Sequence, residues 1–287
     1  MGAPGSRGQP LLAKVPEVTL YFWLAKVLTT CMGEATSDML VFGINRYVAV
    51  VLGFVAFAVA LALQLRTRRY RAWAYWFLVA MVAVFGTMVA DVTHIVLGVP
   101  YYLSTSAFAL ILAAVFVTWR RVEGTLSIHS IRTRRRELFY WAAVLATFAL
   151  GTAAGDMSAT SFHLGYLASG IIYALLFLVP FVGRRLFAWS EVFAFWASYV
   201  LTRPFGASFA DWFDMPRRVG GLHIPRPIVA GVLALFLMGV VGYLARSRID
   251  IQPEPEEECD AAAGATCARP PVRATSTGRR GSPQRDP

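Results

Sequence analysis

Five acidic residues lie within long apolar stretches of this sequence, where charged side chains are rare. Four are aspartates at one place in a recurring segment and the fifth is a glutamate: Asp38, Asp91, Asp156, Asp211 and Glu34. A charge at the centre of a bilayer costs roughly 2.5–3.5 kcal/mol, so such acids pair with a base, hold a proton or line a wet cavity. They therefore predict a site for a proton or a small cation. Glu34 is the strongest candidate, because it lies deepest and has no acidic counterpart in the other copies.

A structural interpretation of the same aspartates competes with the functional one. Each aspartate lies near the end of a predicted helix, where a carboxylate can accept hydrogen bonds from backbone N–H groups of the helix end or the following loop. This alternative is nearly as strong as ion binding for Asp91 and Asp211. Asp38 and Glu34 are separated by one helical turn, and two carboxylates that close cannot both ionise cheaply.

Four copies of one segment carry the aspartates. Each copy has an aromatic residue before a tryptophan, glycine ten residues after the tryptophan and aspartate five residues after the glycine. The copies span 23–38, 76–91, 141–156 and 196–211. Repeats at a fixed internal spacing indicate a repeat architecture. On a helix the glycine and the aspartate fall roughly 140° apart, so they serve different faces.

Small residues surround each glycine at four-residue intervals, and this pattern lets membrane helices approach closely. We therefore predict a helix-packing role for Gly33, Gly86, Gly151 and Gly206. Two basic residues lie within the same helices, and we expect them to act as counter-charges to the acids: Lys26 and Arg203. Pro204 follows Arg203 and can kink that helix. His94 and His163 are weak metal-ligand candidates, since neither stands at a metal-binding spacing from the acids.

The composition indicates an integral membrane protein. Hydrophobic residues make up 57% of the chain and charged residues 15%, whereas soluble domains have about 25% charged residues. Eight helices are predicted, at about 17–42, 47–65, 73–93, 101–119, 138–157, 164–182, 191–213 and 227–245. The loops after even-numbered helices hold most of the arginine, which places both termini in the cytoplasm by the positive-inside rule. The four copies then run parallel, either as a pseudo-fourfold ring or as two paired halves.

The predicted domain organisation has three parts. Residues 1–13 form a disordered N-terminus, 14–248 form the membrane domain and 249–287 form a disordered cytoplasmic tail. The repeats span about 17–65, 73–119, 138–182 and 191–245. The tryptophan of each copy is expected at the cytoplasmic membrane interface, where aromatic residues are enriched. Three cysteines without regular spacing indicate neither a zinc site nor a disulfide framework, and we predict no cofactor.

The first copy also resembles a known family. The stretch KVPEVTLYFWLAKVLTTCMGEATSDML, which returns in degenerate form as FYWAAVLATFALGTAAGD, resembles a bacterial family of uncharacterised polytopic membrane-anchored proteins built from a repeat of unknown function. The resemblance covers about 14–245 and implies eight transmembrane helices in a bacterial inner membrane. It implies no established activity and supplies no site residues. Copy two lacks the threonine beside its glycine ridge, and copy four has Ala207 where the others are polar.

The leading functional hypothesis is a secondary transporter or channel for a small cation, either a proton or a divalent metal. The alternative is a membrane scaffold or partner-binding subunit that transports nothing. An intramembrane enzyme is the weakest option, because only the Gly155-Asp156 pair resembles the element of intramembrane aspartyl proteases. We therefore expect no enzyme. The lipid bilayer is the expected partner. Nucleic acid is not expected, because the arginine-rich loops of a membrane protein explain the net charge of +10. The formation of a homo-oligomer is left open.

Overall fold

The computed structural model describes residues 13–252. Within this part of the chain it has eight α-helices: Leu20–Gly43 (α1), Arg46–Arg66 (α2), Ala72–Asp91 (α3), Tyr101–Glu123 (α4), Arg134–Asp156 (α5), Tyr166–Phe187 (α6), Glu191–Asp214 (α7) and Arg226–Ser247 (α8). The all-helical class and the number of helices predicted from the sequence are confirmed. The predicted disorder of residues 1–12 and 253–287 falls outside the described residues.

Polar residues at the helix starts show why the helices begin where they do. The side chains of Thr19, Asn45, Thr133 and Ser190 accept hydrogen bonds from backbone N–H groups in the first turns of α1, α2, α5 and α7. Such caps satisfy donors that have no partner within the helix. At the other end of α4, Gly124 takes the left-handed conformation that commonly stops a helix.

The first helix of each copy contributes to a closed ring, in the order α1, α3, α5, α7 and back to α1. The glycine of each helix lies against the residue three positions before the glycine on the next helix: Gly33 on Ala83, Gly86 on Phe148, Gly151 on Arg203 and Gly206 on Thr30. One contact repeated four times in the same sense makes the arrangement a pseudo-fourfold ring of helices that run in the same direction. The four glycines lie where these helices approach most closely.

A second set of cyclic contacts explains the aromatic residue before each tryptophan. That aromatic ring packs against the tryptophan of the next copy, with centroid distances between 5.4 and 6.0 Å: Phe22 on Trp76, Tyr75 on Trp141, Tyr140 on Trp196 and Phe195 on Trp23. Three of the tryptophans are therefore buried, with at most 5% of their surface exposed. These tryptophans therefore help to close the ring, and their expected position at the cytoplasmic membrane interface stays a prediction.

The second helix of each copy lies outside the ring and packs mainly on the first helix of the following copy. Thus α2 packs on α3, α4 on α5, α6 on α7 and α8 on α1. These outer helices expose large apolar side chains, such as Val51, Leu110, Leu175 and Leu235. Six helices are long and apolar enough to cross a membrane, namely α2 to α6 and α8. These features indicate a membrane protein.

The two ends of the helical domain are joined at the side of the ring where α1 begins. The Tyr70 hydroxyl donates a hydrogen bond to the Asp250 carboxylate, and the Glu17 backbone N–H donates to the Asp250 carbonyl at 2.8 Å. Burial raises the pKa of Asp250, and the Tyr70 bond opposes that rise. Gln252 donates to the Val15 carbonyl at 3.3 Å. Residues 249–252 therefore belong to the helical domain and not to the disordered tail predicted to begin at 249.

The ring contacts predict opposite effects for two glycine-to-alanine substitutions. A Cβ at Gly33 would lie 2.9 Å from the carbonyl carbon of Ala83, whereas a Cβ at Gly239 on α8 meets nothing within 4 Å. Gly33→Ala is therefore expected to lower the free energy of unfolding by about 1–3 kcal/mol. Gly239→Ala should leave it unchanged or raise it by up to about 1 kcal/mol. Unfolding of the purified protein in SDS measures both, and equal effects would contradict the proposed ring packing.

Candidate functional site

The ring encloses an axis that is lined in layers. Four residues make roughly one helical turn, so positions at four-residue intervals share the inner face of each ring helix. From the start of the helices onward, these layers are an aromatic layer (Phe22, Tyr75, Tyr140, Phe195), a Lys26 layer (Lys26, Val79, Val144, Tyr199), an Arg203 layer (Thr30, Ala83, Phe148, Arg203), a Glu34 layer (Glu34, Thr87, Thr152, Ala207) and an aspartate layer (Asp38, Asp91, Asp156, Asp211). Each layer takes one residue from each copy.

An ion pair between Glu34 and Arg203 closes the middle of the axis. Arg203 Nη2 donates to Glu34 Oε2 at 2.5 Å and to Thr152 Oγ1 at 2.8 Å, and it also donates to the Thr87 hydroxyl. The two threonine hydroxyls donate in turn to Glu34 Oε2, at 3.1 and 3.3 Å. The side chains of Arg203 and Glu34 are 0% and 4% exposed. A single guanidinium thus joins all four ring helices, and the expected pairing of Arg203 with an acid is present.

The position of Arg203 follows from the glycine on the neighbouring helix. The aliphatic part of Arg203 fills the space left by the missing side chain of Gly151. The guanidinium carbon lies 4.9 Å from the centroid of the Phe148 ring, within range of a cation–π interaction. Arg203 Nη1 also donates to the Thr30 carbonyl at 2.8 Å. A smaller residue at 203 would leave this network without its centre.

Three buried carboxylates converge beyond the Glu34 layer. Oxygen atoms of Asp38, Asp211 and Asp214 all lie within 4.8 Å of one another. Arg226 Nε lies 3.6 Å from Asp38 Oδ2 and 3.3 Å from Asp214 Oδ2. Asp214 and Arg226 are absent from the sequence prediction. The signal for Asp214 was its position three residues after Asp211, which puts both on one helix face. Arg226 carried no such signal, because it lies on an outer helix.

Asp91 and Asp156 belong to the same layer but contact no base in the part of the chain that the structure describes. Both are partly exposed, and Asp91 Oδ2 is buried without a hydrogen-bond partner within residues 13–252. The charges of Glu34, Asp38 and Asp156 act on Asp91, so these acids lie within electrostatic range of one another. The structure therefore brings the five predicted acids to two adjacent layers of one axis.

The capping alternative for the aspartates finds no support in these contacts. Within residues 13–252, none of the four aspartate side chains accepts a hydrogen bond from a backbone N–H. Helices α3 and α5 also continue past Asp91 and Asp156 as π-helical turns, Val92–Val96 and Met157–Ser161. These two aspartates are therefore not at a free helix end.

Lys26 does not form the ion pair predicted for it. Its Nζ atom lies 4.1 Å from the Phe148 ring centroid and 4.2 Å from the Tyr199 ring centroid. The residue is 1% exposed, and Nζ has no hydrogen-bond partner in the described part of the chain. The reason is spacing: Glu34 lies two turns away and is already bonded to Arg203. The expectation that Lys26 is a direct counter-charge is thus corrected.

The two histidines do not join a metal-binding group. His94 Nδ1 donates to the Val99 carbonyl at 2.9 Å, and its ring stacks on Tyr101 with centroids 3.5 Å apart. His163 is exposed. Among residues 13–252, the group able to offer three metal ligands is the aspartate trio of Asp38, Asp211 and Asp214. The weak metal prediction for His94 and His163 gains no support from these contacts and stays a prediction.

Four parts of the chain match the family model described as a Repeat of Unknown Function (DUF347), at residues 21–70, 74–125, 139–187 and 194–250. The chain belongs to the DUF347 family. Each DUF347 repeat supplies one ring helix and one outer helix, and the outer helix packs on the ring helix of the next repeat. No curated protein matches the chain. No solved structure matches it either.

Proposed function

We propose that this DUF347 protein crosses a bacterial inner membrane eight times, with both termini in the cytoplasm. The exposed apolar faces of the outer helices support insertion, because monomeric soluble proteins rarely expose contiguous apolar patches of more than a few hundred Å². The loops after α2, α4 and α6, taken with the adjoining helix ends, hold twelve arginines, against four in the loops and helix ends after α1, α3, α5 and α7, and this asymmetry supports the orientation. In this orientation the aspartate layer lies toward the periplasm and the aromatic layer toward the cytoplasm.

We further propose that the protein is a secondary transporter for a small cation. The observation that carries this proposal is the excess of carboxylates on the ring axis. Six acids occupy its outer half, namely Glu34, Asp38, Asp91, Asp156, Asp211 and Asp214, while Arg203 and Arg226 are the bases that contact them. Buried carboxylates need protons, bases or cations. Two bases leave a deficit that a bound cation can fill.

A divalent cation suits the aspartate trio best. Oxygen ligands from several carboxylates are the preference of hard divalent ions such as Ca²⁺ and Mn²⁺. The three aspartate oxygens lie close enough to share one ion. Arg226, whose side chain is 28% exposed, contacts two of these acids and can move toward solvent when an ion takes its place. The cation would then replace Arg226 as the positive charge bound to the three aspartates.

The Glu34–Arg203 pair would serve as the gate of this transporter. A fixed positive charge in a narrow pore repels cations, and here Arg203 lies on the axis between the acids and the aromatic layer. Passage therefore needs a rearrangement in which Arg203 leaves Glu34 and the cation takes over that carboxylate. This predicts alternating access around the ring axis and not an open channel.

Binding of Mn²⁺ to the purified protein in detergent tests the proposed site. We expect one Mn²⁺ to bind, as measured by electron paramagnetic resonance. Asp38→Asn should weaken binding by about tenfold or more, because the ion loses one of three carboxylate ligands. Glu191→Gln removes a carboxylate that is 57% exposed and lies beside Arg184, and it should leave binding unchanged. Equal binding by wild type and Asp38→Asn, or no binding by folded wild type, would reject the site.

One observation favours the scaffold alternative. The guanidinium of Arg203 is bonded to all four ring helices, so the polar network by itself holds the ring together. In a scaffold, Asp38→Asn would change thermal stability without changing any cation binding. The Mn²⁺ measurement therefore separates the two functions.

A further inference from the structure

Lys26 has a buried side-chain amino group that the proposed cation site does not use. Its Nζ lies over two aromatic rings and has no hydrogen-bond acceptor within residues 13–252. The ring does not need a lysine at this position, because α3 and α5 carry Val79 and Val144 at the equivalent places. Burial of an amino group without a hydrogen-bond partner is costly, whether or not it carries a charge. A residue kept at that cost, where valine would pack, calls for a functional explanation.

Tyrosine hydroxyls continue the polar path from Lys26 toward the arginine-rich end. The Tyr199 hydroxyl belongs to the same layer and is buried without a hydrogen-bond partner in the described chain. Tyr140 lies close enough to interact electrostatically with Tyr199. The Tyr140 and Tyr75 hydroxyls are 2.5 Å apart and hydrogen-bonded. All three tyrosines are at most 1% exposed. Lys26 and the three tyrosines therefore lie along the half of the ring axis between the Arg203 layer and the arginine-rich end.

We propose that Lys26, Tyr199, Tyr140 and Tyr75 carry protons between the Glu34–Arg203 gate and the arginine-rich end of the ring. This inference rests on the proposed transport function, and it identifies the proton as the coupling ion. Buried side chains of the aromatic and Lys26 layers fill this half of the axis, so a hydrated metal ion can cross it only after a rearrangement. A proton can still cross it, because it moves by transfer between neighbouring groups.

The transfer conserves protons at every group. In the inward direction, the neutral Lys26 amine accepts the proton that Glu34 takes up once Arg203 has left it, and Lys26 becomes an ammonium. The ammonium gives a proton to the Tyr199 oxygen as Tyr199 releases its own proton toward Tyr140. Tyr140 and Tyr75 each gain one proton and lose one in the same way, and rotation of the hydroxyls restores the chain. Lys26 ends as the neutral amine, and one proton reaches the arginine-rich side.

Other charged groups around Lys26 do not replace it in this role. Arg203 from α7 is the charged group that acts on Lys26, and its guanidinium keeps its proton in proteins. Glu34 of α1 is hydrogen-bonded to Arg203. The titratable groups that α3, α5 and α7 place in the aromatic and Lys26 layers are Tyr75, Tyr140 and Tyr199. Lys26 is therefore the basic group through which protons would reach the tyrosines.

Proton uptake into proteoliposomes with an internal pH dye tests the proposal. Uptake is driven either by an outward Mn²⁺ gradient or by a potassium diffusion potential. Lys26→Arg carries a permanent positive charge and cannot exchange a proton, and Tyr140→Phe removes one hydroxyl. We expect both variants to take up protons at least tenfold more slowly than wild type, with Mn²⁺ binding unchanged. Tyr243→Phe, which removes an exposed hydroxyl on α8, should match wild type.

The outcomes separate this inference from the transport function. Wild-type proton uptake in Lys26→Arg would show that only the charge matters and would overturn the inference. Mn²⁺ movement by wild type without proton uptake under either driving force would also overturn it, while the transport function would stand. Failure of the wild-type protein to bind or move Mn²⁺ would reject the transport function, and this is measured independently of proton uptake. A monodisperse profile and a wild-type melting temperature show that each variant is folded.

Discussion

Arg203→Met is expected to lower the free energy of unfolding by about 3–5 kcal/mol, since it leaves the buried Glu34 carboxylate without its partner. Methionine keeps much of the aliphatic volume that fills the space beside Gly151. The loss therefore comes from the charge and its hydrogen bonds and not from a cavity. SDS titration of the purified protein, followed by circular dichroism, gives the free energy of unfolding.

A double substitution provides the control for this prediction. Replacement of both members of a buried ion pair by apolar residues is often neutral. Glu34→Met combined with Arg203→Met should therefore recover most of the stability lost by Arg203→Met alone. Thr87 keeps a local partner, because it also donates to the Ala83 carbonyl at 3.0 Å. The hydrogen bonds of the Thr152 hydroxyl are to the two replaced residues, so recovery should not be complete. A double variant that is no more stable than Arg203→Met would show that the ion pair is not what holds the ring centre.

Much of the fold could be predicted from the sequence because the repeat constrains it strongly. Apolar stretches of membrane-spanning length fix the helices, and glycine at one position in every copy predicts close helix contacts. The order of those contacts could not be predicted. The sequence pattern of one helix shows which face packs but not which residue of the neighbouring helix that face contacts. The contact between Gly151 and Arg203 is therefore known only from the structure.

The site was predictable in part, for the same reason. Glu34 and Arg203 stand out as charges inside apolar helices, and the structure pairs them. Asp214 lies at the end of α7 and Arg226 at the start of α8. Charged residues are common at helix ends, so their positions in the sequence did not indicate a site. Lys26 was predicted to act as a counter-charge to the acids, but sequence spacing does not show that its amino group lies over the rings of Phe148 and Tyr199.

Glu34→Gln is expected to reduce cation transport to the rate of protein-free liposomes. Glutamine can still accept a hydrogen bond from Arg203, but it cannot bind a cation that displaces the guanidinium. Because loss of the buried charge pair also affects stability, Asp38→Asn serves as a second variant that leaves the Glu34–Arg203 pair intact. Both variants should lose Mn²⁺ uptake, and Glu191→Gln should keep it.

The most direct test of the transport function is the flux of Mn²⁺ into proteoliposomes that contain a metal-sensitive dye, with a pH dye to follow proton flux in the opposite direction. We expect Mn²⁺ uptake by wild type and none by Glu34→Gln reconstituted at the same density and with a native elution profile. Uptake by Glu34→Gln at the wild-type rate would contradict the account, and so would the absence of any uptake by folded wild-type protein.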